Sequence, residues 1–324
     1  MRRAVLVPRA VLFLCCFAFA ISLGCAKRDL SDLLAPNEVG TIVVQATLVV
    51  GERFPRVTLS QTLSPDRPYD EDAAALPGAD VRIFTGTNGE VRYSEYSNGK
   101  YDATGFTAVP SPEVQPHTEY RLVVRAADGR TVTATTTTPD SFSVRDWLLL
   151  EDPSLEIRRR LATFSDYPNR PDSLYFDPKN QLIYQDGLLE ARFDRVGAAA
   201  YVVGLESLDN GSPFVIEADF LSEEDLAQFQ RLTSSPPLAA DLSFIRLPWF
   251  AIFYEGRYRI RIYAVDRNWY DLVRSVPTLG GTNAGFGGNV GDAFERPLFH
   301  VEGGIGLFGS GSMSEIGFMI HPKP

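Results

Sequence analysis

Short runs of alternating apolar and polar residues, separated by turn dipeptides, constrain this chain more than any other feature. Thr41 to Val50 is rich in Val, Ile and Thr, and Val57-Thr58-Leu59-Ser60 alternates. A Pro77-Gly78 turn precedes Ala79 to Phe84, which places Val81 and Ile83 on one face. Asn88-Gly89 and Asn98-Gly99 are hairpin signals, because a two-residue type I′ turn needs positive φ at both central residues. Tyr120 to Val124 and Thr131 to Thr138 flank Asp128-Gly129 as a further hairpin, closed by Pro139. About seven short strands at this spacing predict an immunoglobulin-like antiparallel sandwich over residues 39–139.

Residues 140–324 read as a second β-rich domain with one or two short helices. Leu155 to Phe164 fits a strand or a helix. Leu174-Tyr175-Phe176 and Leu182-Ile183-Tyr184 flank Lys179-Asn180 as a hairpin, and Glu190 to Phe193 and Ala199 to Leu205 read as strands before an Asp209-Asn210-Gly211 turn. Ser222-Glu223-Glu224-Asp225 has the hydroxyl and acids of a helix start, with Leu226, Phe229 and Leu232 as its apolar face. Tyr258, Ile260, Ile262 and Ala264 alternate with Arg257, Arg259, Arg261 and Tyr263, predicting a half-buried strand with three arginines outside. Asp266 then caps a helix carrying Trp269, Leu272 and Val273. The glycines from Gly280 to Gly317, interrupted by Phe286, Phe294, Leu298, Phe299, Ile305 and Phe308, predict a packed loop system.

Ahead of all this, Met1-Arg2-Arg3, an apolar run and Ser22-Leu23-Gly24-Cys25 have the three-part layout of a secretory signal. The run from Ala10 to Leu23 covers 14 residues, short of the roughly 20 that span a bilayer as a helix. Gly24-Cys25 resembles the lipobox of bacterial lipoproteins, in which the matching cysteine becomes the acylated first residue. Ser22 and Leu23 stand in the reverse of the usual order, and a plain signal peptide is the alternative. The expectation is a signal over 1–24, lipid attachment at Cys25 and a tether over 25–38. Removing the signal takes Arg2, Arg3 and Arg9 with it, leaving 28 basic against 41 acidic residues and a charge of −13. That acidity argues against nucleic acid and against electrostatic adhesion to anionic lipid, so attachment would rest on acyl chains. With Cys25 the last of three cysteines, neither an intrachain disulfide nor a thiolate cluster is available to the mature chain.

Motifs of catalytic chemistry are sparse. Gly304 to Gly309 fits G-x-G-x-x-G, but a dinucleotide site needs that run between a strand and a helix. Asp70, Glu71 and Asp72 form an acidic cluster without the turn glycine and further ligands of a calcium loop. His117, His300 and His321 are scattered without metal spacing, and no serine sits in G-x-S-x-G. A glycosidase acid pair such as Glu223-Glu224 is better explained by helix capping. The expectation is no enzyme and no cofactor. Two features suit binding. Arg257, Arg259 and Arg261 would present guanidinium groups to carboxylates or phosphates, or would pair with nearby acids. The aromatics Trp249, Phe250, Phe253, Tyr254, Trp269 and Tyr270 would form a contact platform, or would pack in the core.

Several phrases occur in a familiar order: VTL at 57–59, PGADVRIF at 77–84, YRLVVRAADGRTVTATTTTP at 120–139, IYAVDRNWYDLV at 262–273 and FERPLFHVEGGIGLFG at 294–309. Together they resemble the Bacteroidota-type lipoproteins of the domain-of-unknown-function 4249 family over roughly 39–308. The resemblance implies a lipoprotein, an immunoglobulin-like first half, and genes often beside TonB-dependent outer-membrane receptors. It implies no known catalytic activity. The expected role is therefore a non-catalytic outer-membrane lipoprotein, on either face, that assists such a transporter by ligand capture or gating. A structural or adhesive surface protein is the alternative, and a hydrolase comes third.

Overall fold

A strand packed on a core hides one face, and the alternation of apolar and polar residues determines which face is hidden. A computed structural model describes residues 38–64, 66, 68–86, 88–163, 178–216, 231–275 and 297–324. Cys25 and the helix start at Ser222 lie outside these residues.

The first half comprises β1 (Ile42–Val49), β2 (Val57–Gln61), β3 (Asp80–Thr85), β4 (Gly89–Ser97), β5 (Lys100–Thr107), β6 (Glu119–Arg125) and β7 (Thr131–Thr137). A four-residue helix, α1 (Glu71–Ala74), sits between β2 and β3, and Asp70 caps it by accepting from the Asp72 and Ala73 amides. Then follow β8 (Val144–Leu150), β9 (Ile157–Arg160), β10 (Gln181–Ile183), β11 (Leu188–Phe193), β12 (Ala200–Ser207), β13 (Leu232–Ser234), β14 (Phe244–Leu247) and β15 (Gly256–Val265). The chain ends with the helix α2 (Arg267–Ser275), β16 (Val301–Glu302) and β17 (Ile305–His321).

The molecule is mainly β. The hairpins signalled by Asn98-Gly99 and Asp128-Gly129 are present as β4–β5 and β6–β7. The strands of the first half run antiparallel in the order β1-β2-β5-β4-β3-β6-β7 and roll around one core. Val81, Ile83, Leu122 and Val132 are wholly buried there. In the second half, β12, β13, β15 and the end of β17 form one layer, and a four-stranded sheet in the order β14-β11-β8-β9 forms the other. Their inner faces interleave Tyr201, Val203, Ile260, Ile262 and Phe318 with Trp147, Leu189 and Phe193.

The glycine-rich end departs from expectation. The described part is no loop system: β17 is a 17-residue strand that serves both halves. Its first part, Ile305–Gly311, pairs in parallel with β1. Its second part, Gly311–Ile320, pairs antiparallel with β15. Just before it, β16 pairs with β7, so one short stretch touches both ends of the first half's strand order. Phe308 enters the first core and Ile316, Phe318 and Ile320 enter the second.

Three shorter segments take definite form. Within Leu155 to Phe164, read as strand or helix, Ile157–Arg160 form strand β9, and Phe164 lies outside the described residues. Leu232 belongs to strand β13 and not to a helical face. Leu182 and Ile183 sit in β10, which pairs in parallel with β17; their expected partner, Leu174 to Phe176, lies outside the described residues. No helix among the described residues is long and apolar enough to cross a membrane.

Candidate functional site

β15 behaves as its alternation predicts. Tyr258, Ile260, Ile262 and Ala264 are at most 2% exposed, and Arg257, Arg259, Arg261 and Tyr263 point to the opposite face. On that face β12 sets Val202 beside Tyr263, Gly204 beside Arg261 and Glu206 beside Arg259. From the other side β17 sets Glu315 beside Arg261. The arginines therefore meet carboxylates supplied by neighbouring strands. Arg261 Nε donates to Glu315 Oε2 at 3.1 Å. Glu206 Oε2 lies 3.6 Å from Arg261 and 3.8 Å from Arg259. Arg257 Nε donates to Asp209 Oδ1 at 2.7 Å, and the Asp209 carboxyl is held below its ordinary range chiefly by that guanidinium. Of the two readings of the arginine row, pairing with nearby acids is the one observed.

α2 forms the end wall of the same face. Asp266 caps it as expected, accepting the Trp269 amide at 3.0 Å, and Trp269 packs beside Tyr263 with ring centroids 5.3 Å apart and tilted by 50°. Trp269 can lie this low because β17 is bare beneath it. A Cβ on Gly309 would come within 3.3 Å of the Trp269 Cβ, and one on Gly311 within 3.3 Å of its ring. The result is a groove of about 420 Å³ lined by Val202, Gly204, Glu206, Arg259, Arg261, Tyr263 and Trp269, with Leu232 and Ser234 of β13 on the far side.

The five candidate residues thus fall into three places. Arg259, Arg261 and Trp269 share the groove, while Arg257 lies farther along β15, engaged with Asp209. Trp249 is on the other side of the sheet, in the second core, where its Nε1–H donates to Gly187 O at 2.7 Å and its ring meets Tyr184 edge-on. It also lines a separate cleft of about 500 Å³ between the two layers, with Leu188, Val203, Leu238, Ile245 and Leu247. Phe253 and Tyr254 are buried in the same core. The aromatic platform therefore does not assemble: Trp249 and Trp269 face opposite ways because their elements flank β15 on opposite sides. Sequence reasoning passed over Gly204 and Glu206 in the groove, and Glu315, which pairs with Arg261. Nothing in the local pattern marks them, since their meeting depends on strand register.

The other chemistry-bearing residues are dispersed. His117 pairs with Asp140, His300 Nε2 lies 2.8 Å from Asp271 Oδ2, and His321 reaches Gln181. Among the described residues no group of three or more His, Cys, Asp or Glu is placed to hold a metal ion. Gly304 to Gly309 runs into a strand paired with β1, where a dinucleotide fingerprint would need a strand-to-helix turn.

A family model described as a domain of unknown function, DUF4249, matches residues 29–316. No curated protein matches the sequence. Among solved structures, extracellular cadherin domains 3–6 of protocadherin gamma B2 align with 87% of this chain at 7% identity and a TM-score of 0.18. The chain spans about half the length of that structure, 50%.

Proposed function

The chain belongs to the DUF4249 family, and from that premise we propose that it is a lipid-anchored, non-catalytic ligand-capture protein of the outer membrane that assists a TonB-dependent transporter. The observation that carries the capture reading is the groove beside α2. It is concave, walled by Trp269 and Tyr263, and edged by Arg259, Arg261 and Glu206, the mix of apolar surface and few polar groups that small-ligand sites use. The anchoring part rests on the Gly24-Cys25 signal and the acidic remainder of the chain. Acyl chains on Cys25 would supply the membrane affinity that such a charge withholds.

Two measurements test this reading. Cys25→Ser in the full-length protein is expected to block lipid processing and to move the protein from the membrane pellet to the carbonate wash; retention in the pellet would count against anchoring. Affinity copurification of a tagged wild-type protein is expected to recover an outer-membrane β-barrel. Binding to a cell or polymer with no barrel recovered would favour the adhesive alternative.

A further inference from the structure

We propose that the groove beside α2 takes a neutral, hydroxyl-rich ligand, a saccharide; this names the ligand class of the capture site above and rests on that reading. The first support is charge balance. Arg257, Arg259 and Arg261 on this face are matched by Asp209, Glu206 and Glu315. An anion in the groove would meet Glu206 and a cation would meet two arginines, so neither gains a net field.

The second support is how Glu206 is held. Arg261–Glu315 and Arg257–Asp209 are direct hydrogen bonds at 3.1 and 2.7 Å. Glu206, by contrast, stands 3.6 and 3.8 Å from its arginines, beyond hydrogen-bond length. The Arg259 Nε–H is buried and has no acceptor among the described residues. Glu206 thus makes no hydrogen bond to either guanidinium, and a ligand group in the groove can donate to its carboxylate and accept from the exposed part of the Arg259 or Arg261 side chain. A hydroxyl does both; a carboxylate only accepts and an ammonium only donates.

The third support is the wall and the floor. Trp269 and Tyr263 give an aromatic wall against which the C–H face of a sugar ring can pack. On the floor, Gly204 leaves the space that any other residue would occupy: a Cβ there meets only the Tyr263 ring, at 3.9 Å. The volume of about 420 Å³ falls in the range of small-ligand sites, roughly 300–1,000 Å³.

Gly204 also supplies the test. Its φ is not in the left-handed region and its Cβ would clash with nothing, so Gly204→Leu is expected to fold normally and fill the groove. The full-length protein, in a detergent without a sugar headgroup, is applied to an array of neutral and acidic oligosaccharides. Hits are titrated calorimetrically against wild type, Gly204→Leu and Trp269→Ala, with citrate and inorganic phosphate as anionic probes. The expected result is binding of at least one neutral oligosaccharide, weakened about tenfold or more by either substitution, with the melting temperature of Gly204→Leu unchanged. Absence of any saccharide binding overturns the proposal, as does saccharide binding that Gly204→Leu leaves intact. Citrate or phosphate binding that Gly204→Leu abolishes overturns the ligand class while leaving the capture site standing.

Discussion

Asp266 places conflicting demands on one carboxylate. It accepts the Trp269 amide and the Thr136 hydroxyl, at 3.0 and 2.5 Å, yet it is only 8% exposed. Burial wins, and its carboxyl is pushed above the ordinary range despite these hydrogen bonds. The folded state therefore holds this proton more tightly than the unfolded chain. The stability it contributes falls as pH rises from about 3.9, the unfolded value, through the folded one, and is level above that. Asp266→Asn keeps a cap without the charge. Its stability relative to wild type is expected to rise through the same window, as urea unfolding at a series of pH values would show. Asp266→Ala, which also deletes the cap, is expected to lie about 1 kcal/mol below Asp266→Asn. Asp271, one turn further on, runs the other way. Burial opposes its ionisation, but hydrogen bonds from Arg274, His300 and Arg267 outweigh it and hold the carboxyl below the ordinary range. Its contribution is present above the unfolded value and is lost as pH falls through the folded one. Asp271→Asn should show the opposite slope.

Among the elements, β17 explains the glycines at and just before its own start. Gly306 has φ +112°, and a Cβ there would overlap the Val44 carbonyl oxygen of β1. Gly304 would set a Cβ 2.7 Å from Ile42 O. These two glycines let β17 approach β1 in parallel, and Gly309 and Gly311 then leave room for α2. Gly306→Ala is expected to cost at least about 2 kcal/mol, combining a strained φ with overpacking. Gly204→Ala in β12, where the Cβ has open space, is expected to change stability by under about 0.5 kcal/mol. Chemical denaturation of the two variants compares them directly. An equal loss in both would mean that the glycines matter for chain flexibility and not for close approach.

At the scale of the molecule, β17 makes two halves interdependent. β1 has β2 on one side and β17 on the other, so residues 39–139 lack one of their central neighbours until the last strand is in place. Ser310 of β17 ties the junction, its hydroxyl buried 2.8 Å from that of Thr136 and donating to Thr137 O. In the second half, Ser312 and Ser314 accept the Phe142 and Val144 amides where β8 begins. The whole chain is expected to unfold in one transition. A fragment ending at residue 300 is expected to lose the cooperative melting of both halves together, as circular dichroism against temperature would report. Retention of a sharp first-half transition in that fragment would show that β1 does not need β17.

Local chemistry was legible from residues alone. The alternation in β15, the Asp266 cap, the hairpins at Asn98-Gly99 and Asp128-Gly129 and the mainly β class follow from side-chain period and turn conformation, which a few neighbouring residues determine. Glu206, Glu315 and Gly204 were not legible, nor were the separation of Trp249 from Trp269 and the strand Ile305–His321. Each depends on which distant strand lies alongside and in what register, and a one-residue slip would turn every side chain to the other face. The glycines show the limit most clearly. In sequence they look like loop material, and only the approach of β1 and Trp269 reveals that they are glycine because a strand and a helix must lie where a Cβ would be.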